Sequence, residues 1–383
     1  MKLRSLHGEI EFSVQKFHSK SAANYQSYFN FTGQFEQDYV SEGLKEYSTW
    51  LSCGNSYSRV ENILFRHNGK ALLSDQKIEQ IVIRKAEQIS KEEASLTEPM
   101  AVEKLLIEVE TAVNIYDSAQ QEVIFYEDGI LVKGQKGVRV SKKLKIAPMD
   151  IAPMDIAPVV KKRVWHQTDI CMLELKDKTY QYLMGGINAE NLPNQSLRNV
   201  CIRAINKEYK DEKKPLSIIS ITDGATSIRN DLMSIFGVKI VRILDWYHLK
   251  KKNKDLMSMI AVNKEDKQNH LNYIQKHCWE GKVDKVITYL KTKVITKNQI
   301  KLDELIGYLE KHQSEIINYK LRKQNGKCIG SGRMECGVNQ VIGKRQKNNG
   351  TAWSEKGSKA LAILKVQILN NNWDNCWNIK NAA

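Results

Sequence analysis

The chain has no run of eighteen apolar residues and no hydrophobic stretch near its N-terminus, so neither a membrane helix nor a secretory leader is signalled. A soluble, cytoplasmic protein with no membrane partner is expected. Its seven cysteines, at 53, 171, 201, 278, 328, 336 and 376, are odd in number, scattered and without any Cys-x-x-Cys pair. That pattern excludes a disulfide framework and a zinc ribbon and fits reduced thiols. Acid is also short: 44 Asp and Glu stand against 59 Lys and Arg, a formal charge of +15. A polyanion is then the expected partner, and without a membrane segment the choice falls on nucleic acid.

What is present is enough for two or three packed domains, with 383 residues and 42% hydrophobic content. Residues 1–115 read as mainly helical. Ser56, Val60, Ile63 and Leu64, a polar His67-Asn68-Gly69-Lys70 turn, and Ser74 before Ile78, Ile81, Val82 and Ile89 predict two amphipathic helices. The pair fits a DNA-binding helix-turn-helix or a plain helical hairpin.

After Gln120 the period changes. Val123–Val132 reads as a strand with Asp128 in its middle, and Trp165–Leu175 and Thr179–Gly185 as two more around a Lys176-Asp177-Lys178 turn. Between the first two lies Ile146-Ala147-Pro148-Met149-Asp150, repeated at 151–155 and begun again at 156–158. Proline every five residues forbids a ladder partner, so an extended surface loop lengthened by duplication is expected. Gln195–Tyr209 has helical spacing; Leu216, Ile218, Ile219 and Ile221 form a buried strand that stops at Asp223-Gly224. Ile228, Leu232, Ile235 and Phe236 then mark a helix, and Val238–Leu244 a strand ending on Asp245. The order is β-β-β-α-β-α-β, an α/β domain with acidic residues at its strand ends, where open sheets bind ligands. Asp223 alone is equally well explained as a helix cap.

From Lys250 to about Lys323 the pattern is helical and lysine-rich. Its first run, Lys250-Lys251-Lys252, is either a solvated face or a phosphate contact beside Asp245 and His248. A helix starting near Ser331 carries Glu335 in an early turn, with Lys344 and Arg345 further along as charge-assisted donors to phosphate. Trp353, Ser354 and Leu361–Leu369 predict a capped helix, followed by Trp373 and Trp377 as packing anchors.

Together Asp128-Gly129-Ile130-Leu131-Val132-Lys133, Thr222-Asp223-Gly224-Ala225, Asp245-x-x-His248 and Gly330-Ser331-Gly332-Arg333-Met334-Glu335 resemble the DDE transposases of bacterial insertion sequences, in the group related to the Mutator-like elements. The likeness covers roughly residues 120–377. It implies a ribonuclease H-like mixed sheet in two parts, 120–249 and 326–383, separated by a helical insertion over 250–325. It also implies that Asp128, Asp223 and Glu335 hold two Mg²⁺, or Mn²⁺, for cleavage of element ends and strand transfer. The partners implied are DNA, as terminal inverted repeats and target, and further copies of the chain assembled on it. Asp245 stands where the family more often has Cys, and the Asp245–His248 pair reads as auxiliary, in a structural or strand-separating role. Asp169 is the alternative first acid; counting strands favours Asp128. An inactive DNA-binding relative and a nuclease without strand transfer are the competing readings.

Overall fold

The computed structural model describes residues 2–18, 25–27, 38–95, 104–135, 164–187, 195–347 and 350–379; the Ile-Ala-Pro-Met-Asp repeat lies outside them. In chain order come short strands β1 (Lys2–Ser5), β2 (Gly8–Glu11), β3 (Lys16–His18), β4 (Tyr25–Ser27) and β5 (Asp38–Val40), then helices α1 (Glu42–Ser52), α2 (Tyr57–Asn68) and α3 (Asp75–Ser95). Strands β6 (Val123–Lys133), β7 (Trp165–Glu174) and β8 (Tyr180–Leu183) precede α4 (Leu197–Tyr209), β9 (Ile218–Thr222), α5 (Thr226–Phe236) and β10 (Val241–Leu244). Helices α6 (Trp246–Ile260), α7 (Lys264–Trp279), α8 (Val283–Lys293), α9 (Gln299–Lys311) and α10 (Tyr319–Gln324) form the insertion. After it come α11 (Gly332–Val338), a π-helical stretch over Asn339–Lys347, α12 (Glu355–Leu369) and α13 (Trp373–Cys376). The chain is thus mixed α/β, and none of its described helices is long and apolar enough to cross a membrane.

Two units are distinguished. The first comprises Met1–Leu96, Leu131–Thr168 and Gln340–Ala383, the second Thr97–Ile130 and Asp169–Asn339. In the first, β1 pairs antiparallel with β2 and parallel with β5, and β3 pairs with β4. The opening forty residues are therefore strand-bearing, in contrast to the mainly helical reading of 1–115; runs of three or four residues are too short to show an alternation. Helices begin at Glu42. Ser56 caps α2 by accepting the Arg59 N–H, and Gly69 closes it in the left-handed conformation, φ 69°. Val40, Leu44, Val60, Leu64, Leu72, Leu73, Ile78 and Ile81 form one buried cluster. Helix α12, capped by Ser354, packs on α3, so the C-terminal segment expected to complete the α/β core groups with the N-terminal helices. Every residue from Ala360 to Leu364 is buried, and a helix apolar on so many sides must be covered on more than one.

The second unit is built on a five-stranded sheet in the order β10-β9-β6-β7-β8. All five residues of β9 are buried, as a strand flanked by parallel neighbours on both sides requires. β7 and β8 form an antiparallel hairpin, Cys171 opposite Leu183, whose turn holds Lys178 at φ 67°. One face is covered by α4 and α5: Phe125, Leu173, Ile202, Ile205, Leu232 and Phe236 belong to a single buried cluster, with the Phe125 and Phe236 rings edge-on at 5.3 Å. Each such side chain contributes about 1.5–3 kcal/mol. The stretch that leads into α11 is secured by Arg322, which is fully buried. Its guanidinium donates twice to Glu122, at 3.0 and 2.8 Å, and once each to the carbonyls of Ile115 and Cys328. Lys327 adds a second cation to Glu122 at 2.7 Å.

Candidate active site

Strand β9 delivers Asp223 to the sheet's edge. Its Oδ1 accepts the Ala225 N–H at 2.9 Å, a local turn, while α5 has Ala225 at its N-cap position and no side-chain cap. The cap explanation therefore leaves the exposed Asp223 carboxylate largely unused. Gly224, at φ 88°, has to be glycine: an added Cβ would lie 2.6 Å from His312 Cε1 and 3.0 Å from Leu244 Cδ1.

The next strand, β10, ends on Asp245, which is 1% exposed. Oδ1 accepts the His248 N–H at 2.7 Å and so caps α6. Oδ2 accepts the Ser331 hydroxyl at 2.8 Å and the Ser331 backbone N–H. The approach is close enough to demand glycine beside it, since a Cβ on Gly330 would meet the Tyr247 ring at 2.8 Å and Asp245 Oδ2 at 3.3 Å. Trp246 N–H donates to the Ile329 carbonyl at 3.2 Å, a second stitch between the same segments. Ser331 immediately precedes α11, whose first turn carries Glu335; the Glu335 N–H returns to the Ser331 carbonyl at 3.1 Å. Nε2 of His248 lies 3.8 Å from Glu335 Oε1 and its Nδ1 3.8 Å from Asp245 Oδ1. Asp245 thus holds the start of the Glu335 helix, and the His248 ring lies between the two acids.

Asp128 lies half-buried in β6. Burial and then the negative charge of Asp223 push its carboxyl up to about 6; Glu335 adds to this, while the Gly129 N–H and His248 oppose it. Asp223, after a strand, and Glu335, on a late helix, therefore both act electrostatically on Asp128. Asp169 keeps different company. It acts with Asp231 and Cys201 on Glu127, which is 3% exposed and pushed up to about 10, chiefly by burial and next by Asp231. Neighbouring residues in a strand face opposite sides of the sheet, which separates the Glu127 group from Asp128.

Among the described residues no three His, Cys, Asp or Glu side chains are drawn together as a metal-ligand cluster. The donor chemistry nonetheless fits a hard divalent cation: three carboxylates, two of them exposed. All seven cysteines are free, and Cys328 and Cys336 are exposed.

Of the expected phosphate contacts, Lys250 and Lys251 are exposed at the start of α6, but Lys252 is engaged with Glu304 at 3.0 Å. Lys344 and Arg345 belong to the first unit. Roles that the sequence did not show include the donor role of Ser331, marked there only as a helix start within the Gly330–Glu335 motif, and that of Glu315. Glu315 is buried and joined to Arg229 at 3.0 Å, Arg242 at 2.9 Å and His312 at 2.8 Å, so it fixes the His312 ring against Gly224.

Residues 197–375 match an uncharacterised protein family, UPF0236. No curated protein matches the chain.

Proposed function

We propose that the chain is a metal-dependent DNA transposase that cuts element ends and joins them to target DNA through Asp128, Asp223 and Glu335. The observation that carries this reading is the carboxyl of Asp128, pushed to about 6 with Asp223 as the largest contributor after burial and Glu335 adding to it. Two carboxylates that raise the proton affinity of a third mark a site suited to cations. The strand order β10-β9-β6-β7-β8, with helices α6–α10 inserted before the helix that carries Glu335, supports a ribonuclease H-like core. Bound there, two Mg²⁺ or Mn²⁺ would neutralise charge on the attacking and leaving oxygens of a phosphodiester. The chain's own residues supply the ligands, orient Glu335 through Asp245, Ser331 and His248, and bring basic surface to the polyanion.

The test is cleavage of a labelled duplex carrying the DNA that flanks the reading frame, with and without Mg²⁺. Asp223→Asn and Glu335→Gln are each expected to lower the rate at least ~100-fold, since losing a residue that only supports a metal ligand already costs about 10–100-fold. Cleavage by either variant at the parent's rate would sink the carboxylate site. Joining of the cut 3′ end to a second duplex is the result specific to transposition; cutting without joining replaces it with a hydrolytic nuclease.

A further inference from the structure

Outside the acidic site, the first unit contains a cavity of about 320 Å³ lined by Cys53, Gly54, Gln340, Lys344, Arg345 and Lys365. Three of the six lining residues are cations and none is an acid. The Arg345 guanidinium is stacked 4.6 Å from the Trp353 ring and 5.6 Å from Tyr57, and its Nε donates to the Ser52 carbonyl at 3.2 Å. Trp353 is fixed in turn by its indole N–H, 3.1 Å from the Gln346 carbonyl. Among the described residues neither Arg345 nor Lys365 forms an ion pair. Burial disfavours the charged form of Arg345. A guanidinium taken partly out of water, held by rings and one carbonyl, has no carboxylate partner among the described residues. Gly54 leaves the floor without a side chain, and the volume lies in the range of small-ligand sites.

We propose that this cavity is a phosphate-binding site that seats a backbone phosphate of a DNA strand, with Lys344 and Lys365 as the contacting cations and Arg345 as the positioned wall. The proposal deepens the transposase reading and rests on it for the choice of DNA as the source of the phosphate. Lysines act as flexible point charges towards phosphate, which suits a strand contact made without regard to base sequence.

The experiment measures binding of a labelled duplex to the full chain by fluorescence anisotropy over a salt series, without divalent metal. The double variant Lys344→Gln/Lys365→Gln is expected to bind about tenfold more weakly and to lower the slope of log K against log salt by about 2. Lys344→Arg/Lys365→Arg is expected to restore both, and Lys285→Gln/Lys293→Gln, on exposed α8 positions, to change neither. An unchanged slope in the cavity variant, or an equal loss in the α8 variant, overturns the site. Inorganic phosphate that binds the parent while duplex binding ignores the lysine pair would make the ligand a free phosphate and overturn the strand contact. Because binding is read before any cutting, its outcome is separate from that of the carboxylate variants: normal cleavage by Asp223→Asn, with duplex binding lost in the lysine pair, would remove the transposase reading and leave the cavity standing.

Discussion

Asp245 and Ser331, 86 residues apart, are joined by two hydrogen bonds to one carboxylate oxygen, from the serine hydroxyl and from its backbone N–H. The other oxygen holds the start of α6 through His248. One buried carboxylate therefore fixes two helix starts, and one of those helices carries Glu335.

Asp245→Asn is expected to break this joint. An amide replaces one acceptor with a donor, which then faces either the His248 N–H or the two Ser331 donors. Hydrogen bonds to a charged group are worth about 1.5–3 kcal/mol, and a loss of about 2–3 kcal/mol in unfolding free energy should be read by urea titration. Ser331→Ala keeps the backbone bond and should lose only about 1 kcal/mol. If the proposed activity holds, both variants lower cleavage with Mg²⁺ affinity less affected than turnover. Asp245→Asn at parental stability would show that the joint contributes nothing.

Asp128 gives a pH dependence with a defined sign. Its carboxyl sits near 6 instead of the ordinary 3.8, so between those values the folded chain holds the extra proton. Stability contributed by this group is then lost as pH rises through that window, and the penalty is complete above it. Allowing for partial exposure, Asp128→Asn should gain about 1–2 kcal/mol over the parent at pH about 7.5 and nothing at pH about 4. Added Mg²⁺ should narrow the gap by stabilising the parent alone. A variant no more stable than the parent at the higher pH would refute the charge crowding.

Much of the α/β unit was legible because its signals are local. The all-buried β9 reads as an apolar run stopped by Asp-Gly, and the hairpin of β7 and β8 brackets a Lys-Asp-Lys turn. What was not legible depends on partners distant in sequence. The acceptor role of Asp245 towards Ser331 leaves no periodic trace, and a lysine run cannot reveal that Lys252 is engaged with Glu304, 52 positions later. The placement of Gln340–Ala383 with the N-terminal helices is likewise a packing outcome: α12 is apolar on several sides, and the sequence does not say which helix will cover it. The π-helical stretch over Asn339–Lys347 shifts the angular position of the side chains after Val338, so a 3.6-residue wheel misplaces Lys344 and Arg345.

Arg322 tests how the stretch before α11 is held. Removing it leaves the Glu122 carboxylate buried with Lys327 alone and strands two carbonyls, those of Ile115 and Cys328. Arg322→Met should cost about 3–5 kcal/mol, measured by thermal or urea unfolding. Arg322→Lys should recover little of it, since an ammonium cannot reach four acceptors with the geometry of a planar fork. Full recovery by lysine would mean that charge alone matters there.

The last prediction separates two acids on adjacent strands. Asp128 shares its surroundings with Asp223 and Glu335, whereas Asp169 shares its own with Glu127, a carboxyl pushed to about 10. If the carboxylate site cuts DNA, Asp128→Asn should lower cleavage to the level of Asp223→Asn, because each removes one ligand from the same set. Asp169→Asn should leave cleavage within about twofold of the parent while lowering the pKa of Glu127, by removing a negative charge that favours its proton. The second effect has its own readout: the pH at which the folded chain releases the Glu127 proton, followed by titration of its carboxyl resonance. Loss of cleavage in Asp169→Asn with retention in Asp128→Asn would transfer the catalytic assignment to β7 and to the other face of the sheet.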